Sequence, residues 1–531
     1  MKIRTLPYSK TGYFSKLMCD YLSENDQLHD FYGRFPNLES FKEQMEEKKL
    51  SFGLESRETL VRALQRQYEN TTTSEATANN ISSLSEANTC SITTGHQLNL
   101  FTGPLYFLYK IFSVINLSEK LKEAYPDSNF VPIYWMATED HDFDEINYFN
   151  LFGKKLEWNR ASGGAVGALS TEGLSDILKE LKMQLGDSEN AKKLAALFSK
   201  AYTGHKNLAD ATRYIGNTLF SDYGLVILDG NDAALKEEFA SYVKQDLLEG
   251  TSHTEINATS NRLTKLGYPQ QVFPREINLF YLADGLRERI IEKEGQFYVN
   301  DTSIVFSRDE ILVELEKNPQ NFSPNALLRP LYQEVVLPNL CYVGGGGELA
   351  YWFQLKDYFK SVKIPFPILL LRNSALLMSE NDAKKIKKLE VTLDDLFLPK
   401  HELEAKYTRQ LSEITIDFTK QKAHLITQFK ALYVLVKQTD ASFEGAVAAQ
   451  EKKQINGLVH LEKRLLTAQK RKHADQLKRL TAMQHMLFPN QSLQERLVNF
   501  SAFYLEFGDE LLSELKQNLD PLAHEFTIVT L

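Results

Sequence analysis

Cysteine is scarce in this sequence. Only Cys19, Cys90 and Cys341 occur among 531 residues, and none of them has the Cys-x-x-Cys spacing of a redox pair or a zinc site. Because three is an odd number, a framework of intramolecular disulfides is not expected. We expect reduced thiols, as in the cytoplasm, with Cys90 and Cys341 in the cores of strands.

The sequence also lacks an excess of positive charge and any long apolar run. Its 70 acidic residues outnumber 61 basic ones, and the net charge of −9 disfavours nucleic acid as the main partner. No stretch reaches about 18 apolar residues, and the first residues lack a signal-peptide core, so neither membrane insertion nor secretion is expected. A composition of 43% hydrophobic and 25% charged residues is typical of a soluble protein of two or three domains.

Short apolar runs alternate with helical patterns through residues 1–380. This alternation predicts an α/β core with an open, largely parallel sheet. Between Ile277 and Ser307 the pattern changes and predicts antiparallel strands appended to that sheet, within inserted connecting elements at about 235–335. The runs that we interpret as buried parallel strands are 90–95, 130–137, 224–228, 340–343 and 366–371.

Glycine is almost absent after about Ser379, where apolar residues recur at spacings of three and four. Two stripes result, separated by a break at 439–445, and they predict a long antiparallel α-helical coiled coil over 381–490. A helical bundle acting as a lid is the alternative, and 491–531 is expected to pack back on the core. The first stripe is Leu411, Ile414, Phe418, Leu425, Phe429, Leu432 and Val436, and the second is Leu458, Leu461, Leu465, Leu477, Leu480 and Leu487.

The loop after the first predicted strand, TTGHQLNLFTGP, is rich in polar and glycine residues. Ligands of parallel α/β sheets bind at the carboxyl ends of strands, and glycines let backbone amides approach an anion there. Thr102 is placed to cap the next helix, and His96 to add a hydrogen-bonding or cationic contact. A simple βα turn is the alternative. The candidate binding residues are Gly95, His96, Gln97, Asn99, Thr102 and Gly103.

The loop after the second predicted strand holds five carboxylates and one imidazole between Glu139 and Glu145. His141 lies between Asp140 and Asp142, and these three are the candidate catalytic residues, because a carboxylate can orient an imidazole for acid–base work. Glu139 is a candidate substrate-binding residue. The same carboxylates suit Mg²⁺ accompanying a nucleotide, although no permanent metal site is expected. A solvated acidic loop is the bland alternative.

A third cluster surrounds the predicted strand at 340–343. The spacing of Asn325, Arg329 and Gln333 predicts that they share one helix face, on which Arg329 holds a substrate carboxylate. Alternatively, Arg329 pairs with a surface acid and the glycines after the strand only turn the chain. The remaining candidates are Gly344, Gly345, Gly346 and Gly347 as an anion site, Glu348 as a capping acid or site residue, and Arg372 as an anion contact.

Three long segments carry a resemblance to a known family: TTGHQLNLFTGPLYFLYK, WMATEDHDFDEIN and SPNALLRPLYQEVVLPNLCYVGGGGELAYW. At these segments the sequence resembles the bacillithiol-biosynthesis cysteine-adding enzymes, and the likeness extends to the closing segment QERLVNFSAFYLEFGDELL. The resemblance implies a Rossmann-like core with connecting subdomains, a coiled-coil domain and a homodimer formed largely through the helical region. It also implies a ligase that adds cysteine to glucosaminyl-malate, the last step of bacillithiol synthesis.

Amide formation in water requires an activated carboxylate, either an adenylate or an acyl phosphate, so ATP is the expected cofactor. Two other functions stay open at this point. The same polar loops would serve a nucleotidyltransferase acting on another small acid. Alternatively, the coiled coil of a noncatalytic interaction protein would recruit a partner to the α/β core.

Overall fold

The computed structural model describes residues 2–531, which divide into two compact units. The first unit contains residues 13–376 and 494–529 together with the N-terminal residues up to Ser9. The second contains Lys10–Gly12, Leu377–Leu493 and Thr530–Leu531. Across the described residues, no helix is both long and apolar enough to cross a membrane.

The strands of the described chain are short and lie mainly in the first unit. In chain order they are β1 (Lys2–Pro7), β2 (Thr89–His96), β3 (Asn129–Met136), β4 (Tyr148–Leu151), β5 (Lys154–Glu157), β6 (Val226–Asp229), β7 (Leu279–Ala283), β8 (Leu286–Lys293), β9 (Gln296–Val299), β10 (Val305–Ser307), β11 (Phe322–Pro324), β12 (Asn339–Gly344), β13 (Ile368–Leu371), β14 (Ala375–Met378) and β15 (Glu525–Thr530).

Helices separate most of these strands and make up most of the second unit. They are α1 (Tyr8–Thr11), α2 (Lys16–Leu22), α3 (Leu38–Ser51), α4 (Leu54–Tyr68), α5 (Glu75–Ser83), α6 (Tyr106–Ala124), α7 (Phe143–Ile146), α8 (Leu174–Leu185), α9 (Glu189–Gly204), α10 (Leu208–Phe220), α11 (Ala233–Glu249), α12 (Thr251–Lys265), α13 (Arg308–Lys317), α14 (Arg329–Val336), α15 (Gly346–Trp352), α16 (Lys356–Ser361), α17 (Glu380–Lys388), α18 (Lys400–Leu411), α19 (Thr419–Val436), α20 (Ala441–Lys472), α21 (Ala474–Leu487), α22 (Ser501–Phe507) and α23 (Glu510–Asn518).

A five-stranded parallel sheet forms the centre of the first unit, and its order is β13-β12-β2-β3-β6. The predicted parallel sheet is therefore confirmed. The chain enters at β2 in the middle, moves outwards through β3 and β6, and returns to the other side through β12 and β13. This is the order of a doubly wound α/β sheet, whose topological switch point lies between β2 and β12.

A second sheet of five antiparallel strands, in the order β10-β9-β8-β7-β11, stands apart from the parallel sheet. The antiparallel strands predicted between Ile277 and Ser307 exist, but their expected attachment to the parallel sheet is wrong. Tight hairpins fold these strands onto one another. Between β8 and β9, Glu294 and Gly295 have φ values of 54° and 80°, as a two-residue type I′ turn requires.

In the second unit, α19 and α20 form an antiparallel hairpin. Lys422 pairs with Glu462 at 2.6 Å, and the Tyr433 hydroxyl donates to Glu451 at 2.9 Å. A small cluster of Phe429, Val436 and Val447 packs between the two helices.

The apolar stripes are less continuous than the sequence predicts. The first is broken because α18 ends at Leu411 and α19 begins at Thr419. Between them, the Ser412 hydroxyl bonds both the carbonyl and the amide of Ile414, a local turn that competes with the helix. The second stripe is interrupted at His473, between α20 and α21.

Candidate active site

A cavity of about 780 Å³ opens in the first unit at the carboxyl ends of the parallel strands. Its walls include the ends of β2, β3 and β12, so it lies at the switch point where open α/β sheets bind ligands. The antiparallel sheet contributes Phe280, Arg287 and Arg289 from β7 and β8. Predicted site residues that line the cavity are Gly95, His96, Gln97, Glu139, Asp140, His141, Asp142, Asn325, Arg329 and Glu348.

One wall of the cavity contains an ion pair between the buried Lys110 and the partly buried Glu348. Lys110, on α6, lies 2.6 Å from Glu348 and also donates to the carbonyl of Gly95 at 2.7 Å. The other Glu348 oxygen accepts from the Tyr342 hydroxyl at 2.7 Å. Burial alone would raise the pKa of Glu348, but Lys110 and Tyr342 together hold it below its ordinary value. Glu348 is therefore a fixed carboxylate that orients the Tyr342 hydroxyl.

Arg329 places a guanidinium against the same wall. Its Nη1 donates to Gln333 at 3.0 Å, and the group lies 5.4 Å from the centre of the Tyr342 ring. Burial opposes its charge, yet Tyr342 and Tyr351 shift the pKa of Arg329 above its ordinary value. Its Nη2 is buried and has no acceptor within residues 2–531. Arg329 therefore places a cation at the cavity wall, with one buried donor that has no acceptor in the described chain.

Gly95 provides the space beside this guanidinium. A Cβ atom at this position would lie 3.2 Å from the Tyr342 hydroxyl and 3.7 Å from Arg329 Nη1. The first distance is tighter than ordinary packing, so a side chain would displace the groups that face the cavity.

His141 is oriented by an arginine. Arg287 Nη1 lies 2.6 Å from His141 Nδ1, whereas Asp140 and Asp142 approach the ring only to 3.7 and 3.9 Å. Since a guanidinium only donates, Nδ1 accepts, and the neutral ring carries its proton on Nε2. The expectation that a carboxylate orients this imidazole is therefore wrong. In this tautomer His141 offers a hydrogen-bond donor to the cavity.

The acidic residues of the loop after β3 have different partners. Asp140 accepts from Gln97 at 2.8 Å, and Gln97 also bonds Glu145 at 3.0 Å. Glu139 pairs with the buried Lys236 of α11. Asp142 is about half exposed and has no hydrogen bond from another side chain in the described chain. Among the loop carboxylates that line the cavity, Asp142 is therefore the one most available to a substrate.

Three residues of the same loop lie close enough together to share a metal ion. Ligand atoms of Asp140, His141 and Asp142 lie within 4.8 Å of one another. Because the contact with Arg287 occupies His141 Nδ1, the oxygen ligands that Mg²⁺ prefers come from the two aspartates. These residues fit an ion that arrives with a nucleotide and keeps most of its ligands from phosphate and water.

The predicted anion site at the start of α6 is not formed as expected. Thr102 does not cap this helix, which begins at Tyr106, and the φ of Thr102 is 68°. Pro104 forms a bridge with Asn499, and the amide of Leu105 donates to Val498 at 2.8 Å. A returning segment of chain thus covers the helix start.

The other residues of this loop lie at or behind the cavity wall. Asn99 and Thr102 are buried around a separate cavity of about 10 Å³, and Gly103 packs against Asn99. His96 lies between the two cavities. Burial and the nearby Lys110 lower its pKa well below the ordinary value, so the expected cationic contact from His96 is wrong.

The third cluster is only partly brought together. Asn325 lines the cavity but precedes α14, where its side chain accepts from the amides of Leu327 and Leu328 at 2.9 and 3.2 Å. The predicted shared helix face is wrong in this respect. Gln333 is fully buried and reaches the site only through Arg329.

The four glycines from Gly344, the last residue of β12, to Gly347 do not line the cavity, and the last three lie at the start of α15. Gly346, for example, packs against Met18, with 3.0 Å between its notional Cβ and Met18 Cγ. Arg372 is not a ligand contact either, because it is buried in an ion pair with Glu495 at 2.7 Å. The anion roles expected of Gly344, Gly345, Gly346, Gly347 and Arg372 thus find no support in the geometry.

Sequence reasoning missed several lining residues, although two signals were present. Lys110 is a charge inside the otherwise apolar start of α6, which marks a buried cation that needs a partner. Arg287 and Arg289 alternate along LRERIIEK and so share one face of β8. Other missed lining residues include Tyr106, Phe273, Arg275, Phe280, Tyr342 and Tyr351.

Comparisons with known proteins cover the whole chain. The family model described as "Bacillithiol biosynthesis BshC, N-terminal Rossmann-like domain" matches residues 1–373, and "Bacillithiol biosynthesis BshC, C-terminal coiled-coil domain" matches 375–531. Relatives carry the name "Putative cysteine ligase BshC". That of Christiangramia forsetii is 53% identical and covers 100% of this chain and 99% of its own length. Those of Flavobacterium johnsoniae and Cytophaga hutchinsonii are 54% and 37% identical, covering 99% and 96% of this chain and 99% and 95% of their own lengths.

Proposed function

Because the chain belongs to the BshC family of bacillithiol biosynthesis, we propose that it is a ligase that joins cysteine to glucosaminyl-malate to form bacillithiol. The observation that carries the proposal is the unused Arg329 Nη2 in a switch-point cavity, a donor suited to a carboxylate of the malyl group. The free thiols of Cys19, Cys90 and Cys341 support a reducing cytoplasm as the site of the reaction.

The reaction forms an amide between the cysteine carboxyl and the amino group of the sugar. We propose ATP as the activating reagent, which converts the carboxylate to an adenylate with release of pyrophosphate, or to an acyl phosphate with release of ADP. The amine then attacks the carbonyl carbon, the carbon–oxygen bond to the phosphoryl group breaks, and one proton leaves the nitrogen. The protein must therefore bind two anions and accept one proton.

The cavity residues suit these tasks. Arg329 holds the malyl carboxylate, and the Nε2–H of His141 donates to an oxygen of the reacting carboxyl group. Asp142, the available carboxylate, takes the proton from the amine. Asp140 is the proposed ligand of Mg²⁺ brought by the nucleotide. The rest of the proposed binding surface consists of Gly95, His96, Gln97 and Asn325.

The test is product formation by the purified protein. ATP, Mg²⁺, cysteine and glucosaminyl-malate are supplied together and in sets lacking one component, and bacillithiol and the nucleotide product are measured by mass spectrometry. We expect bacillithiol only in the complete mixture. Product with another small acid in place of glucosaminyl-malate would indicate a nucleotidyltransferase-like enzyme, and no reaction in any mixture would favour an interaction protein.

Variants of the catalytic loop sharpen this test. Asp140→Ala, His141→Ala and Asp142→Ala are expected to abolish product formation while circular dichroism stays unchanged, because the loop is outside the core. Asp144→Ala, in the adjoining helix α7 and outside the cavity lining, is the matched control and should keep wild-type turnover. Wild-type turnover in the first three variants would remove these residues from the proposed mechanism.

We also propose a homodimer formed through the second unit. Leu432, Val434, Leu435 and Leu461 are between 39% and 59% exposed on the hairpin of α19 and α20. Such apolar side chains on one hairpin favour burial against another surface, at about 25 cal/mol per Å². A second copy of the same hairpin is the proposed cover.

A further inference from the structure

Two arginines that line the cavity have no role in the proposed reaction. Arg275 and Arg289 line both the 780 Å³ cavity and an adjoining cavity of about 320 Å³, so these two residues border both spaces. Neither guanidinium has an ion pair or a hydrogen bond to any described residue. The other cations of the lining, Lys110, Arg287 and Arg329, are each engaged with a neighbour.

Arg289 has a defined position relative to the catalytic loop. It lies two residues after Arg287 on β8, and side chains two apart point to the same face about 7 Å from one another. Arg287 contacts His141, so Arg289 is the next cation outwards along that face. It pairs across the sheet with Phe280, whose ring lies 5.5 Å from His141.

Arg275 belongs to a loop that buried amides hold in place. Gln354, which is 1% exposed, accepts from the amides of Gln271 and Val272 at 3.1 and 3.0 Å. Asn278, fully buried, accepts from the amide of Arg275 at 3.0 Å and donates to its carbonyl at 2.9 Å.

Between these two anchors, Phe273 is 67% exposed and lines the cavity. The fold thus fixes an exposed aromatic ring and an exposed cation by buried side chains. Holding the Phe273 ring in water does not stabilise the fold. An aromatic ring next to a guanidinium suits a ligand that has a flat apolar group beside negative charge.

We propose that Arg275 and Arg289 bind the phosphates of a nucleoside triphosphate and that Phe273 packs against its base. This inference rests on the proposed function, in which a nucleotide activates the cysteine. It separates the two anionic substrates: Arg329, with its buried donor, takes the carboxylate, and the more exposed Arg275 and Arg289 take the phosphates. The phosphates then enter from the side of the adjoining cavity.

The test measures binding of each substrate separately by calorimetry. The full-length protein is titrated with MgATP, with tripolyphosphate and with glucosaminyl-malate, in the absence of cysteine. Arg275→Gln and Arg289→Gln are expected to lower the affinity for MgATP and for tripolyphosphate about tenfold or more, because each variant loses a charge-assisted contact. Phe273→Ala should weaken MgATP but leave tripolyphosphate unchanged. Arg62→Gln, an exposed arginine of α4 outside both cavities, is the matched control.

Glucosaminyl-malate distinguishes failure of this inference from failure of the proposed function. Its affinity should be unchanged in Arg275→Gln and Arg289→Gln and reduced in Arg329→Gln. If MgATP binds the wild type and the Arg275, Arg289 and Phe273 variants equally well, the nucleotide site proposed here is wrong. The same conclusion follows if MgATP does not bind at all while glucosaminyl-malate still binds. If Arg275→Gln and Arg289→Gln instead weaken the binding of glucosaminyl-malate, the two arginines belong to the sugar site and the inference is overturned.

Discussion

Replacement of Arg329 by alanine tests the substrate orientation most directly. Its Nη2 is buried and has no acceptor in the described chain, while Nη1 is already used by Gln333. One charge-assisted contact is therefore available to a ligand carboxylate in a desolvated setting. Loss of one partner of such a pair costs about 2 to 4 kcal/mol, so Kd for glucosaminyl-malate should rise about 30- to 1000-fold.

The assay is calorimetric titration of glucosaminyl-malate into wild type, Arg329→Ala and Arg329→Lys. Lysine keeps the charge but loses the planar fork, so its affinity should fall between the other two. Because Arg329→Ala also leaves Gln333 without its donor, unfolding in urea is measured in parallel to separate binding from stability. An unchanged Kd in a folded Arg329→Ala variant would refute the reasoning and return Arg329 to a structural role.

Three further predictions concern stability, pH and assembly. Glu495→Gln should lower the free energy of unfolding by about 3 to 5 kcal/mol in urea, because it leaves the 4% exposed Arg372 charge unpaired, and a smaller loss would indicate that water reaches this pair. Burial raises the pKa of Asp246 from 3.8 to about 6, so the fold favours its protonated form. Relative to Asp246→Asn, wild-type stability should therefore rise by about 2 kcal/mol when the pH falls from 7 to 4, and parallel pH profiles would contradict this. Leu461→Lys combined with Leu465→Lys should halve the light-scattering mass, and a wild type that is already monomeric would refute the dimer.

The parallel strands were predictable because both faces of each are buried. Residues 130–137, for example, form a continuous apolar run that ends where polar side chains begin, and β3 ends at Met136. The hairpin of α19 and α20 followed from spacing. Ile414 was misplaced because a serine turn, whose energy is local and small, decided the helix boundary against the apolar pattern.

The site was harder to predict because its contacts join distant parts of the chain. The acidic loop stands out in the sequence, but its orienting group, Arg287, lies 146 positions away on a different sheet. The glycines after β12 are conspicuous in sequence, yet their role is packing, as at Gly346 against Met18. Residue types therefore indicated which loops carry the site. The contacts of each side chain could not be predicted, because they depend on how the two sheets are arranged in the folded chain.

The return of residues 494–529 to the first unit has a consequence for how the protein is made. Asn499 donates to the carbonyls of Phe101 and Gly103 at 2.8 and 2.6 Å, and Asn116 donates to Leu519 at 2.7 Å. During synthesis the ribosome must add residues 377–493 of the second unit before these acceptors and donors can meet. A nascent chain that ends near residue 490 would thus expose the buried Arg372 without its counterion. The first unit is therefore completed only near the end of synthesis, although its first strand is made at the beginning.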